Sequence, residues 1–288
     1  MLKLLQHEIR SRAPGIVGWG LGLSILPIMY VGLYPQFADE LANMQNLMDI
    51  ALYQALGISM ASFEGYVAST VTNLAPVILA IYAVISGTGM LAGEEDDGRL
   101  EMIVALPIPR WQIVTVKAIA LGIALLLILT IVGAAAALTM AGIAGQVETT
   151  VTPLRVFGEL MASWPLEMTF AMASLFLGAF SPSRRTAALL AMVVVLVSYF
   201  GNNLTNMFPS MEGLRALFPF HYYQATADAL IHGQKPVDLL ILTAVALALF
   251  ALALIFFQRR DITVGVWPWQ RGRARAGGTG GTGGTGGA

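Results

Sequence analysis

Cysteine is absent from the sequence, and charged residues are scarce. Without cysteine the chain can form no disulfide, no thiolate metal site and no thiol nucleophile. Charged residues make up 11% of the chain and hydrophobic residues 57%, whereas a soluble domain carries about 25% charged residues. The formal net charge of −1 provides no basic field for nucleic acid. This balance excludes an ordinary water-soluble surface and indicates a protein embedded in lipid.

Common catalytic motifs are also missing. A P-loop places a lysine, followed by serine or threonine, after a glycine-rich loop, but Lys3, Lys117 and Lys235 are followed by Leu, Ala and Pro. The chain has no His-Glu-x-x-His zinc motif and no Gly-x-Ser-x-Gly elbow. An intramembrane enzyme would need a clustered catalytic set within the hydrophobic segments, and none is visible. We therefore expect no catalytic residue, cofactor site or metal site in this chain, and no ATP hydrolysis by the chain alone.

Long hydrophobic runs, in contrast, recur along the chain. A helix needs roughly 20 apolar residues to cross the hydrocarbon core, and six stretches qualify, at 15–34, 71–92, 118–144, 160–180, 186–208 and 237–257. Soluble domains do not string together six such runs with so few charges between them. The sequence therefore predicts an all-α polytopic membrane protein with six transmembrane helices.

Basic residues are distributed unevenly between the segments that connect these spans. If the N-terminus is cytoplasmic, 13 of the 16 lysines and arginines fall on the cytoplasmic side, namely Lys3, Arg10, Arg12, Arg99, Arg110, Lys117, Arg184, Arg185, Arg259, Arg260, Arg271, Arg273 and Arg275. The other side receives Arg155, Arg215 and Lys235. The positive-inside rule then predicts that both termini are cytoplasmic. We expect a multi-pass protein of the plasma (inner) membrane.

This orientation predicts three external segments, at 35–70, 145–159 and 209–236. The first is acidic. The third contains a dense aromatic run at 217–223, which suits either the headgroup interface or a re-entrant element. It also holds three potential metal ligands, His221, Asp228 and His232. Their spacing matches no recognised ligand pattern, so an interfacial loop is favoured over a metal site.

The cytoplasmic segment between spans two and three carries the strongest local pattern. An acidic run at 94–97 ends the second span, and apolar residues then recur at helical spacing from Leu100 onward. Pro107 and Pro109 interrupt this helix. A second amphipathic turn starts at 110–111. The pattern predicts a pair of short amphipathic helices at the membrane surface.

This segment resembles the corresponding loop of ABC-2-type permeases. The matching positions are Gly93, Glu94, Glu95, Gly98, Leu100, Glu101, Leu106, Pro107, Arg110 and Lys117. The chain departs from the family pattern at Arg99, Asp96 and Asp97. The six-span layout, the basic amphipathic N-terminus and the Arg-Arg-Asp ending of the last span are also similar, over about residues 1–265. The Gly65 and Tyr66 pair and the acidic first external segment look similar to exporters of polyketide-type antibiotics.

The resemblance implies a non-catalytic permease subunit of an ATP-driven ABC exporter for a lipophilic or amphipathic, drug- or antibiotic-like substrate. In this family a coupling helix between spans two and three docks on a separate ABC ATPase, present in two copies, which binds the ATP and Mg. A second permease copy or a paralogue completes the translocation pathway within membrane lipid, without nucleic acid. The residues implied in ATPase coupling are Glu94, Glu95, Gly98, Leu100, Glu101, Leu106, Pro107, Arg110 and Trp111.

The sequence divides into four predicted sections. Residues 1–14 form a cytoplasmic amphipathic N-terminal helix, 15–258 the six-span transmembrane domain and 259–276 a basic cytoplasmic tail. Residues 277–288 repeat Gly-Gly-Thr and read as a flexible linker or an appended tail.

Glu167 is the basis of a second functional hypothesis. It is the clear ionisable residue within a predicted span, and such residues favour a functional role, here in the substrate pathway or in ion handling. An ion-gradient-driven secondary transporter or channel that uses Glu167 is therefore the second hypothesis. The plainer interpretation is that Glu167 reaches water at the external interface or pairs with Arg155.

Overall fold

The computed structural model describes residues 2–43, 62–97 and 109–259, and these parts of the chain form helices and no strand. Six helical segments are long and apolar enough to cross a membrane: Leu2–Ala38, Phe63–Asp96, Arg110–Ile143, Pro153–Phe180, Arg184–Met207 and Pro236–Arg259. We call them the first to sixth spans. The predicted all-α, six-span architecture is confirmed.

Two of the spans are interrupted helices. The second span consists of Phe63–Val67, a π-helical turn at Ala68–Thr72, Leu74–Thr88, a second π-helical turn at Gly89–Gly93, and Glu94–Asp96. The fourth span consists of Pro153–Ala162 and Trp164–Phe180. Pro165 has no backbone N–H to continue the ladder, so the fourth span breaks at Ser163, whose hydroxyl donates to the Leu160 carbonyl at 2.7 Å.

The segment between the fifth and sixth spans folds back onto the bundle. It contains 3₁₀ helices at Pro209–Leu217 and Pro219–Tyr222 and a short α-helix at Ala227–His232. Phe220 is buried, with its ring 5.3 Å from Phe170 of the fourth span and 5.3 Å from Tyr199 of the fifth. The aromatic run at 217–223 is therefore part of the helix packing as well as of the outer surface.

The first and third spans begin earlier than the hydropathy predicts. One helix, Leu2–Asn43, has 42 residues, which is about 63 Å of helix against roughly 30 Å of hydrocarbon. Residues 2–14 are thus continuous with the first span. The third span begins at Arg110, so the prediction of a separate second short helix starting at 110–111 is wrong, because these residues are the first turn of the span. The first predicted short helix falls within 98–108, outside the described residues.

The fourth span lies at the centre of the bundle. It packs against the second, third, fifth and sixth spans, and Leu166, Phe170 and Leu175 on it are fully buried. The first span packs mainly along the third. The fifth and sixth spans expose most of their apolar side chains, as helices that face lipid do. The chain therefore has a packed interior and two largely peripheral helices.

A close helix contact at Gly87 gives a first testable prediction. A Cβ added at Gly87 would lie 2.7 Å from Ser174 Cβ and 3.0 Å from the Ala171 carbonyl oxygen. Overpacking of this kind costs roughly 1–3 kcal/mol, so Gly87→Ala is expected to lower the thermal unfolding midpoint of the detergent-solubilised protein. Gly158→Ala is the matched control, because nothing lies within 4 Å of its added Cβ. Equal midpoints for the two variants would contradict the close packing of the second and fourth spans.

Candidate functional site

Lys117 is a charged side chain buried inside the bundle. It lies two turns into the third span and is 1% exposed. Its Nζ donates to Glu8 Oε1 at 3.0 Å and to Glu94 Oε1 at 2.6 Å. Arg12 approaches the other Glu8 oxygen at 3.4 Å. We call Glu8, Arg12, Glu94 and Lys117 the Lys117 cluster.

The Lys117 cluster balances its own charge. Two carboxylates face two cations, and a buried charge is tolerated only when it is paired and hydrogen-bonded. The third span continues as helix on both sides of Lys117. The charged residue is tolerated there because two carboxylates neutralise its buried ammonium inside the protein. One oxygen of Glu94, Oε2, is buried without a hydrogen-bond partner in the described part of the chain.

The cluster joins three elements that are far apart in sequence. Glu8 belongs to the first span, Glu94 to the end of the second and Lys117 to the start of the third. These buried ion pairs therefore link the first three spans to one another at this end of the bundle.

The turn between the fourth and fifth spans reaches the same end of the bundle. The backbone N–H of Arg184 donates to Asp96 Oδ2 at 2.9 Å. The Arg184 side chain lies against the π-helical turn, because a Cβ added at Gly93 would meet Arg184 Cδ at 3.1 Å. The basic turn and the acidic end of the second span are thus in direct contact, as expected for segments on one side of a membrane.

The predicted coupling residues have mixed positions. The carboxylate of Glu94 is bound within the chain, and Glu95 is 4% exposed. Arg110 is partly exposed, and Trp111 is 45% exposed at the start of the third span. The remaining members of the predicted set lie outside the described residues: Gly98, Leu100, Glu101, Leu106 and Pro107. Trp111 is therefore the described member with the largest accessible apolar surface.

Hydrogen bonds also tie the loops together at the opposite end. The Thr149 hydroxyl and the Thr150 N–H donate to Glu64 Oε1 at 2.7 and 3.2 Å. Gln234 donates to Glu159, and Gln234 also donates to the Gln224 carbonyl at 2.7 Å. These contacts connect the start of the second span to the third-to-fourth loop, and the fifth-to-sixth segment to the first part of the fourth span. The loops separate into two ends, as six alternating spans require.

Glu167 lies deep between the helices. It is 0% exposed, and neither carboxyl oxygen has a hydrogen-bond partner in the described residues. Arg155, considered from the sequence as its partner, donates instead to the Leu230 carbonyl at 3.1 Å. The prediction that Glu167 reaches water or pairs with Arg155 is therefore wrong, because the fifth-to-sixth segment occupies Arg155.

Sequence reasoning missed the pairing of Glu8 with Lys117. Lys117 was identified only as the lysine that opens the third span. A lysine flanked by apolar residues at 113–121 needs an acidic partner, and that signal was available. The identity of the partner was not, because Glu8 is 109 positions away. Within the described residues no three His, Cys, Asp or Glu side chains form a metal-binding group, and His232 pairs with Asp228 at 2.9 Å on the surface.

Comparison with known proteins agrees with this architecture. The family described as ABC-2 family transporter protein matches residues 2–262. No curated protein matches the chain significantly. The matched region includes all six spans, the Lys117 cluster and the acidic end of the second span. The chain belongs to the ABC-2 family of transporter proteins.

Proposed function

We propose that the chain is the permease subunit of an ATP-driven exporter. It forms the translocation pathway for a lipophilic or amphipathic, drug- or antibiotic-like substrate and couples to a separate ATPase. Membership of the ABC-2 family supports an ABC permease subunit and implies an ABC ATPase as partner. The chain contributes no catalytic residue, and the partner binds ATP and Mg.

The observation that carries this proposal is the Lys117 cluster. It connects the N-terminal helix, the end of the second span and the first turns of the third span through buried ion pairs. Buried pairs have a strict geometry, so a displacement of one element moves the others. The cluster therefore acts as a rigid joint that transmits movements of the partner ATPase to the helix bundle. We assign this end, with its basic turn at Arg184 and Arg185, to the cytoplasm of a plasma (inner) membrane protein.

The ATPase docks beside this joint. Trp111 is exposed immediately after segment 98–108, and tryptophan is among the residues most enriched at interface hot spots. Glu101, Leu106 and Pro107 of that segment, together with the exposed part of Arg110, form the remainder of the proposed docking surface. Two ATPase copies engage two permease chains, the second being another copy or a paralogue.

Trp111→Ala tests the docking proposal. The tagged chain is expected to co-purify with an ABC ATPase, and truncation of a hot-spot tryptophan costs about 2 kcal/mol or more. The Kd for this ATPase is therefore expected to rise by at least about tenfold, and ATP-driven transport in proteoliposomes should fall with it. Leu154→Ala is the matched control, since Leu154 is exposed at the opposite end.

Two results would contradict the proposal. One is ATP-independent transport by the purified chain alone. The other is a Kd for the ATPase that Trp111→Ala leaves unchanged while Leu154→Ala raises it, which would put the docking surface at the other end of the bundle.

A further inference from the structure

A polar cavity of about 250 Å³ lies at the end of the bundle opposite the Lys117 cluster. It lies between Asn73 near the start of the second span, the last turns of the fifth span and the segment 215–226. Amide side chains dominate its lining, with Asn202, Asn203 and Gln224 among them. The function proposed above makes no use of this concentration of amides at the edge of an apolar bundle.

Asn203 is the most informative side chain in this cavity. It is 8% exposed, and its Nδ2 has no hydrogen-bond partner within the described chain. A buried donor without a partner costs about 1–3 kcal/mol. Arg215 is similar, since its Nη2 donates to Asn206 Oδ1 at 2.5 Å while its Nε is buried and has no partner among the residues that the structure describes. Two buried N–H donors of cavity residues, Asn203 Nδ2 and Arg215 Nε, would therefore be satisfied by a ligand that carries hydrogen-bond acceptors.

The chemistry of the lining favours hydroxyl groups over an anion. Carboxamides both donate and accept hydrogen bonds, as hydroxyls do, whereas an anion only accepts. Burial lowers the pKa of His221, and the neighbouring Arg215 lowers it further, so this imidazole is neutral at pH 7. Among the described residues that line the cavity there is no carboxylate, and the Arg215 guanidinium, which donates to Asn206, can also donate to a neutral hydroxyl.

The aromatic residues that line the cavity and its volume further restrict the class of ligand that fits. Tyr199, Phe220 and Tyr223 line the cavity and offer faces for a ring that carries C–H groups. The volume corresponds to about eight water molecules at roughly 30 Å³ each, which is less than the roughly 300–1,000 Å³ of a drug-sized pocket. The cavity therefore holds one small ring, and the rest of a larger molecule must lie outside it.

We propose that this cavity binds an uncharged, hydroxyl-rich ring of glycosyl type on the transported substrate. The proposal rests on the exporter function and specifies the substrate as an amphipathic molecule with a glycosyl head. Phe200 and Leu204 on the fifth span, and Phe208 directly after its last residue, expose apolar side chains at sequence spacings of four. The glycosyl ring occupies the cavity while the apolar body lies along these side chains.

Saturation-transfer NMR on the full chain in lipid nanodiscs, without ATPase, tests the proposal. The probes are methyl α-D-glucopyranoside, methyl α-D-mannopyranoside and methyl β-D-galactopyranoside at millimolar concentration. Transfer to the ring protons of at least one glycoside is expected. Asn203→Leu should weaken this binding by about tenfold, the effect of one lost hydrogen bond. Gln112→Leu, which removes an amide at the opposite end, should leave it unchanged.

Asn202→Leu at a partly exposed position provides a second variant if Asn203→Leu fails to fold. Absence of transfer to all three glycosides overturns the proposal, as does equal transfer in wild type and both cavity variants. Binding of inorganic phosphate, seen by ³¹P line broadening that Asn203→Leu abolishes, with no glycoside signal, also overturns it in favour of an anion site. Because no ATPase is present, loss of ATP coupling does not affect this readout. Failure of the exporter function and failure of the glycosyl site are thereby distinguished.

Discussion

Lys117→Met is expected to destabilise the protein more than any other single substitution among the described charged residues. The change removes the cation that Glu8 and Glu94 share at 3.0 and 2.6 Å. Breaking a buried ion pair from one side costs roughly 3–5 kcal/mol, because the remaining charges are left uncompensated. The thermal unfolding midpoint of the detergent-solubilised protein should therefore fall sharply. Lys235→Met is the matched control, since Lys235 is exposed and lies at the opposite end.

A triple variant that neutralises Glu8, Glu94 and Lys117 separates stability from coupling. Replacing Glu8 and Glu94 with glutamine together with Lys117→Met removes the three charges that meet at Lys117 and leaves the partly exposed Arg12 as the charged member of the cluster. Neutral replacement of a buried ion cluster is often tolerated or stabilising, so the unfolding midpoint should recover most of the loss. ATP-driven transport should not recover, because neutral contacts do not reproduce the rigid joint between the first three spans.

Two other results would contradict the proposed role of the Lys117 cluster in coupling. If the triple variant transports substrate as well as wild type, the ion pairs only neutralise one another. If Lys117→Met alone keeps the wild-type midpoint, the cluster is open to water in the working protein. Transport and thermal unfolding, measured on the same preparations, decide between these outcomes.

The fold was predictable from the sequence because hydropathy alone determines where helices cross a bilayer. The six predicted stretches all fall within the observed spans or overlap them. The residues at which the spans begin and end were less predictable. The third span was predicted to begin at 118, directly after Lys117, and the helix in fact begins at Arg110. The buried lysine is paired with Glu94 and with Glu8, and the Glu8 carboxylate lies too far away in sequence for a local pattern to indicate it.

The site was predictable only where a local motif marks it. Glu94 was identified from the acidic run, but as a contact for another protein, whereas the structure pairs it with Lys117. The polar cavity drew no attention, since asparagines at 202, 203 and 206 look like an ordinary helix end in sequence. The cavity that they line is completed by Gln224 and Arg215 of the next segment. Sites that form between distant segments need the tertiary structure.

Glu167→Met is expected to stabilise the protein. Glu167 is fully buried and both carboxyl oxygens lack hydrogen-bond partners in the described residues. An unsatisfied buried polar group costs about 1–3 kcal/mol, and methionine fills a similar volume with an adaptable apolar chain. The unfolding midpoint should therefore rise. Thr169→Val is a useful comparison on the same helix, because it removes a hydroxyl that donates to the Leu242 carbonyl at 3.1 Å and should lower the midpoint.

Transport by the Glu167→Met variant decides between the two functional hypotheses. In an ATP-driven exporter the carboxyl takes no part in energy coupling, so the more stable variant should keep ATP-driven transport. In an ion-gradient-driven transporter the same carboxyl must bind and release the coupling ion, so transport should be lost although the protein is more stable. A costly buried group is retained when function depends on it. A stabilised but inactive Glu167→Met protein, with transport driven by a proton or sodium gradient in wild type, would therefore replace the exporter proposal with the secondary transporter.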